Sequence, residues 1–201
     1  MAPALPPGSH ALVLLSGGLD SAVALHWTLR HAARTEALLV HLPAQPAAER
    51  RAARAVAAHA GVALVEREAA WLAPPADVAR QGFVPQRNLA LYAIAANHAA
   101  RSGATVLVGG HTANDRADFP DAAPAFFRAL EPLLAAGAPH DPPLRLVLPF
   151  LERTKEDVVA LGRALGAPLE LTWSCYRRGR RPCGRCQACQ ERIASMRPPR
   201  G

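Results

Sequence analysis

The chain has 201 residues, enough for one domain with a sizeable core, and half of its residues are hydrophobic. No apolar run reaches the roughly 18 to 20 residues of a membrane span, and residues 1–10 lack the basic start of a signal peptide. We therefore expect a soluble cytoplasmic protein. The net charge of +7 predicts phosphate-bearing ligands. It argues little for nucleic acid, because nearly all the cations are arginines spread along the chain.

The first predicted elements are a strand at 11–15, the turn Ser16-Gly17-Gly18-Leu19-Asp20-Ser21 and a helix at 21–34. A strand, a glycine turn and a helix N-terminus together form an anion site, because glycines let the backbone approach closely and free N–H groups favour phosphate. The turn is neither GxxxxGK[ST] nor GxGxxG. Taken alone, it could also be a glycine turn without a ligand.

Strands and helices then alternate along the chain. The sequence predicts helices at 47–60, 89–101, around 126–130 and at 154–165, strands at 37–41, 62–65, 105–108, 144–148 and 169–172, and a terminal helix. This alternation predicts an α/β fold with a doubly wound, mainly parallel, Rossmann-like sheet. Its ligand is expected at the carboxyl ends of the strands. The loop 68–86 is long enough for a lid or binding loop, and Asn88 could cap the next helix.

All four cysteines lie near the end of the chain, spaced C-x7-C-x2-C-x2-C: Cys175, Cys183, Cys186 and Cys189. In a cytosolic protein this clustering indicates a metal site rather than disulfides. Four thiolates can close a tetrahedral structural zinc site, and an iron–sulfur cluster is the alternative. The arginine-rich insert 177–181 is either a solvated loop or a contact for an anionic substrate or RNA.

The glycine turn resembles the PP-loop of the ATP pyrophosphatases, which cleave ATP between the α and β phosphates and adenylate a substrate. Together with the cysteine spacing it resembles the 7-cyano-7-deazaguanine synthase family of queuosine biosynthesis. Further stretches match the family's motifs in the same order: FVPQRN at 83–88, GHTAND at 110–115, FPD at 119–121, LPF at 148–150 followed by Lys155, and LTWSCY at 171–176. The likeness covers nearly the whole chain.

The resemblance implies a ligase that adenylates the carboxylate of 7-carboxy-7-deazaguanine, captures ammonia as the amide, and converts the amide to the nitrile with a second ATP. It also implies a homodimer, with a nucleotide-binding domain at 1–171 and a zinc-binding segment at 172–201. The implied ATP ligands are Ser16, Gly17, Gly18, Leu19, Asp20, Ser21 and Gly110. The implied catalytic residues are Asp20, which could also place Mg²⁺, and Arg87, Asp115 and Lys155. Substrate contacts would come from Asn88, Phe119 and Asp121, and Zn²⁺ ligands from the four cysteines.

Three loops depart from the family's pattern. Pro46-Ala47 and Ala122-Ala123 stand where the family has Arg-His and Cys-Arg, and Asn114 replaces an acidic residue. These changes leave open a divergent member that joins a deazapurine carboxylate to another amine, such as a protein terminus. Two other classes compete: a PP-loop enzyme that modifies tRNA, and a non-catalytic nucleotide-binding module. Lys155, the only lysine of the chain, argues against the last, although it could also be a solvated helix residue.

Overall fold

The computed structural model describes residues 4–43, 45–73, 84–137, 141–177 and 179–197. These residues contain one five-stranded parallel sheet in the order β3-β2-β1-β4-β5. The strands are β1 (His10–Leu14), β2 (Arg34–His41), β3 (Leu64–Glu68), β4 (Val106–Val108) and β5 (Arg145–Val147). From β1 to β3 each new strand is added on one side of β1, and β4 and β5 are added on its other side. The loops after β1 and β4 therefore flank the crevice where such sheets bind ligands. The predicted doubly wound fold is confirmed.

Helices cover both faces of the sheet. They are α1 (Leu19–Leu29), α2 (Ala47–Ala60), α3 (Arg87–Ser102), α4 (Asp115–Asp118), α5 (Pro124–Ala136), α6 (Lys155–Ala164) and α7 (Gln187–Ser195). Side chains alternate across a strand, so Val13 of β1 packs with α1, α2 and α6, whereas the adjacent Leu12 packs with α3 and α5. Two apolar cores therefore hold the sheet rigid, and its carboxyl edge carries the loops.

The helix limits follow sequence signals in most places. α2 has the predicted bounds and ends at Gly61 in the left-handed conformation. α6 begins at a capping box in which Thr154 and Asp157 bond reciprocally. The prediction that the first helix runs to residue 34 is wrong, because Arg34 already pairs with His10 in the sheet.

Two further local predictions are wrong. Residues Leu169–Leu171 form a 3-10 turn rather than a strand, because Leu169 is buried in the core beside α1 and α6 and does not reach the sheet. Asn88 is not a cap: Gln86 precedes the helix, and Asn88 lies within its first turn with its side chain turned to Asp121.

Some predicted features fall on residues outside the described ranges. These are the middle of the loop 68–86, Phe83 of the FVPQRN stretch, Arg178 of the arginine-rich insert and the terminal residues 198–201. Among the residues that are described, no helix has the length and apolar character needed to cross a membrane.

Candidate active site at the carboxyl edge of the sheet

The turn after β1 closes tightly on the start of α1. Gly17 has a φ of +94°, a conformation that residues with a Cβ rarely adopt. Ser16 Oγ accepts a hydrogen bond of 3.1 Å from the Gly18 N–H and lies 3.1 Å from Ser21 Oγ. The turn therefore sits at the N-terminus of an 11-residue helix, where free N–H groups and the helix dipole favour an anion.

Gly110, which follows β4, lies directly against this turn. A Cβ at Gly110 would come within 2.8 Å of the carbonyl carbon and oxygen of Asp20 and 2.9 Å of the Ser21 nitrogen. A residue with a side chain would push the two loops apart. The structure thus brings together the two stretches in which ATP ligands are predicted, 16–21 and Gly110.

Lys155 reaches the same place from the first turn of α6. Its Nζ lies 3.5 Å from Asp20 Oδ2 and donates a hydrogen bond of 2.9 Å to Glu191 Oε2 on α7. The side chains of Lys155, Asp20 and Glu191 are only 15%, 21% and 28% exposed. Shielding from water strengthens these charge-assisted contacts. The only lysine of the chain is therefore held beside the glycine turn.

The ionisation of this cluster suits phosphate binding. Burial raises the pKa of Asp20 from 3.8 to about 6, although Lys155 opposes the shift. Burial alone lowers the pKa of Lys155, but the carboxylates of Asp20, Glu191 and Asp115 outweigh it and the pKa is raised. Lys155 is therefore a cation at neutral pH. Asp20 Oδ1 is buried, with no hydrogen-bond partner in the part of the chain that is described.

Asp115 and Asn114 order the loop after β4. Asp115 Oδ2 accepts hydrogen bonds from the Thr112 backbone N–H at 2.7 Å and the Thr112 hydroxyl at 3.1 Å. Asn114 Oδ1 accepts a hydrogen bond of 3.1 Å from the Lys155 backbone N–H. An amide oxygen accepts this bond as a carboxylate oxygen would. The Asn114 departure therefore keeps the contact that ties this loop to the start of α6.

The predicted substrate residues lie at the start of α3 and in the turn that follows α4. The Asn88 backbone N–H donates to Asp121 Oδ2 at 2.9 Å, and Asn88 Nδ2 donates to the Asp121 carbonyl at 2.8 Å. Both residues are buried. The Arg87 guanidinium lies 5.2 Å from the centre of the Phe119 ring, within cation–π range. The four residues are brought together, and Asn88 and Asp121 bond to each other.

Sequence reasoning missed four titratable side chains at this edge: Glu49, His111, Tyr176 and Glu191. Burial raises the pKa of Glu49 to about 7, against the opposing effects of Arg87 and Gln45. Burial lowers the pKa of His111 to about 4. Burial and the charge of Glu191 raise the pKa of Tyr176. His111 and Tyr176 lie inside matched motifs, and Glu49 and Glu191 each lie two residues from a position that the motifs include. A position in the sequence does not show which way a side chain points.

The four cysteines converge as their spacing predicts. Their sulfurs lie within 4.8 Å of one another, with 4.0 Å between Cys183 and Cys189 and 3.9 Å between Cys186 and Cys175. A tetrahedral zinc–thiolate site, with bonds of about 2.3 Å, separates its sulfurs by about 3.8 Å. An iron–sulfur cluster holds them further apart, because several iron and sulfide atoms lie between them. The cluster therefore fits a single tetrahedral ion.

Backbone N–H groups point at these sulfurs. The Arg177 and Cys183 N–H groups each donate to Cys175 Sγ at 3.4 Å, and the Cys186 N–H donates to Cys183 Sγ at 3.4 Å. Such bonds stabilise thiolate over thiol. Cys175 and Cys189 are buried, and four sulfurs complete a tetrahedron. This arrangement is typical of a closed structural site.

Comparisons with known proteins decide the family. The family model described as "Queuosine biosynthesis protein QueC" matches residues 10–74 and 63–198, nearly the whole chain. The chain belongs to the QueC family. Two relatives named 7-cyano-7-deazaguanine synthase come from Chromohalobacter salexigens and Archaeoglobus fulgidus. The first is 31% identical, covering 94% of this chain and 82% of the relative, and the second is 34% identical, covering 92% and 85%.

A solved structure supports the fold of this QueC family member. NMN synthetase from Francisella tularensis superposes with a TM-score of 0.54 at 18% sequence identity, covering 89% of this chain and 71% of that one. At this identity the likeness concerns the fold alone. The family resemblance that the sequence motifs predict is confirmed by the family match and by the relatives.

Proposed function

We propose that this QueC family member is an ATP-dependent carbon–nitrogen ligase that makes 7-cyano-7-deazaguanine. It converts the carboxylate of 7-carboxy-7-deazaguanine, with ammonia, first to the amide and then, with a second ATP, to the nitrile. AMP and pyrophosphate leave at each step. The observation that carries this proposal is the Lys155–Asp20 pair at the glycine turn, in a chain that matches the family from residue 10 to 198.

The chemistry needs an activated carboxylate. A carboxylate is a poor electrophile and its oxygen is a poor leaving group. Transfer of AMP to that oxygen gives an acyl adenylate, and ammonia then attacks its carbonyl carbon and displaces AMP, which carries the oxygen away. Negative charge develops on the departing pyrophosphate, and catalysis rests mainly on positioning and on charge stabilisation there. In the second cycle the amide oxygen accepts AMP and leaves with it, and the nitrogen loses its protons to give the nitrile.

The glycine turn and two cationic side chains have different roles in this reaction. The backbone of residues 16–21 and Gly110 holds the phosphates of ATP at the N-terminus of α1. The Lys155 ammonium and the Arg87 guanidinium neutralise charge as pyrophosphate departs. Asp115 acts through its place beside Lys155 and Asp20, where its charge helps to keep the lysine protonated. The contacts described above and the resemblance to the family support these roles.

Two metals are part of the proposal. Asp20 is suited to Mg²⁺, because its Oδ1 is a buried oxygen without a hydrogen-bond partner among the described residues and carboxylate oxygens are the usual protein ligands of this ion. Mg²⁺ would supply charge neutralisation on the ATP phosphates. Zn²⁺ would be held by the four cysteines, whose spacing and sulfur separations fit it, and it would have a structural role.

The substrate contacts are assigned from the resemblance to the family. Asn88, Phe119 and Asp121 would contact the deazapurine, and their clustering beside Arg87 supports this assignment. Use of ammonia, a homodimer, a cytoplasmic location and the division of the chain at residue 171 are further parts of the proposal. A different amine acceptor is not favoured, because the relatives are named for the nitrile product.

The decisive experiment supplies Mg-ATP, 7-carboxy-7-deazaguanine and ¹⁵N-ammonium to the purified protein. We expect AMP, pyrophosphate and a product lighter than the acid that carries ¹⁵N in its nitrile. Lys155→Ala should abolish AMP formation, whereas Glu156→Gln, a charge change at the exposed neighbour on the same helix, should not. ADP in place of AMP would refute PP-loop chemistry. AMP without a nitrile would refute the proposed product.

A further inference from the structure

The active-site lysine is held by two carboxylates from opposite ends of the chain. Asp20 belongs to the glycine turn, and Glu191 lies on α7 in the cysteine segment. The contact with Glu191 is the shorter one, 2.9 Å against 3.5 Å for Asp20. Only the contact with Glu191 has hydrogen-bond length for an ammonium and a carboxylate. The ammonium is therefore drawn toward α7 and stands off from Asp20.

Glu191 is itself fixed in place. Its Oε1 accepts a hydrogen bond of 3.0 Å from Gln187, one turn earlier on α7. The helix begins directly after Cys186, which is its N-cap, and contains Cys189. The cysteine cluster thus sets where α7 starts, and with it where the Glu191 carboxylate lies.

Arg192 anchors the same helix to the 3-10 turn and to Thr172, which follows it. Its guanidinium donates to Thr172 Oγ1 at 2.6 Å and to the Leu169 carbonyl at 2.7 Å. The adjacent Glu191 points instead to Lys155. α7 is therefore held at the cysteines and at the 3-10 turn, and these two anchors aim Glu191 at the lysine.

We propose that Glu191 is a positioning residue that sets the location of the Lys155 ammonium for phosphate, and that it links the cysteine segment to the active site. The proposal rests on the function proposed above only for its kinetic part. Without Glu191, the nearest remaining carboxylate among the described residues is Asp20, at 3.5 Å, and in protein without Mg²⁺ its second buried oxygen is free to accept. The ammonium would move onto Asp20 and away from the position from which it meets the phosphates.

The first test observes Lys155 directly and needs no substrate. Because Lys155 is the only lysine, protein without a tag, grown with [ε-¹³C]lysine, gives a single ε-methylene signal in a ¹H–¹³C spectrum. We expect this signal to shift in Glu191→Ala and to stay in place in Glu156→Gln. Cys186→Ser, which opens the cysteine cluster, should move the signal in the same direction as Glu191→Ala. An unshifted signal in Glu191→Ala overturns the proposal.

The second test separates positioning from folding and from charge. A misplacement of about 1 Å costs up to about 100-fold in rate, so we expect kcat of Glu191→Ala to fall about 10- to 100-fold while the KM for ATP changes less than about threefold. Glu191→Gln keeps an acceptor oxygen and should recover most of the rate. Metal content and Tm should match the wild type in both variants.

Other outcomes overturn the proposal. If Glu191→Ala loses metal or has a lower Tm, the role of Glu191 is structural. If only the KM for ATP changes, Glu191 affects the charge that binds ATP in the ground state and does not position the lysine. If wild-type protein makes no nitrile, the proposed function fails, but the lysine signal still reports whether Glu191 holds Lys155. The two failures are therefore distinguishable.

Discussion

Gly17→Ala tests whether the glycine turn depends on close contact with α2. Gly17 combines a φ of +94° with backbone atoms where its Cβ would be. That Cβ would overlap the Glu49 carbonyl oxygen and come within 2.7 Å of the Ala53 nitrogen. Backbone atoms of a packed helix cannot move aside as the end of a side chain can. The substitution must therefore displace the turn or α2.

Gly61→Ala is the matched control. Gly61 also has a positive φ, +65°, but nothing lies within 4 Å of where its Cβ would be. It carries the backbone cost alone, about 1–2 kcal/mol. Gly17→Ala adds about 1–3 kcal/mol of overlap to about 1–3 kcal/mol of backbone strain. We expect the losses in free energy of unfolding to differ by about 2 kcal/mol.

Chemical denaturation and calorimetric titration with Mg-ATP measure the two consequences. Gly17→Ala should unfold at lower denaturant and bind ATP at least about tenfold more weakly, since a shift of the turn disturbs the N–H groups that we propose bind the phosphates. Gly61→Ala should lose only the backbone cost of about 1–2 kcal/mol and bind ATP as the wild type does. Equal losses in both variants, or full ATP affinity in Gly17→Ala, would refute this reasoning about the turn.

Three further predictions concern the metal, a buried acid and a buried amide. Cys186→Ser should reduce zinc from about one ion per chain to none in elemental analysis, and iron in the wild-type protein would contradict the single-ion site. Burial raises the pKa of Asp20 from 3.8 to about 6, so the folded state binds the proton of this carboxyl group more tightly than the unfolded state does. The free energy of unfolding should therefore fall as the pH rises from about 4 to about 6. Asp20→Asn should lack this pH-dependent fall when denaturation is measured at several pH values. Asn88→Ala should cost about 1–3 kcal/mol because it leaves the buried Asp121 carbonyl unpaired, and the exposed Asn97→Ala on the same helix should cost almost nothing in the same assay.

Much of the fold could be predicted because its signals are local. Buried parallel strands are short apolar runs, and Gly61 and Gly103 end their helices in the left-handed conformation. The errors fall where tertiary contacts decide. Leu169 is apolar in a strand-like run, but it is drawn into the core beside α1 and α6, and no local pattern distinguishes a sheet edge from that position.

The site could be predicted as far as its motifs reach. The turn after β1 and Lys155 belong to recognisable stretches, and the sheet order brings them together. Glu49 and Glu191 were missed because a glutamate on an amphipathic helix looks the same in sequence whether it faces solvent or a lysine. Asn88 illustrates the converse: its position suited a cap, but the buried carboxylate of Asp121 is a stronger partner for its N–H.

The cysteine segment contacts the candidate active site on both sides of the cysteines. Trp173 donates its backbone N–H to the Gly17 carbonyl at 2.9 Å, so the chain leading to the first cysteine is bonded to the glycine turn itself. Beyond the cysteines, Glu191 bonds to Lys155. The segment thus contacts the glycine turn and the lysine at separate points. A metal that orders it would fix the distance between these two groups, and the proposed chemistry needs that distance to be fixed in order to stabilise charge on a departing pyrophosphate.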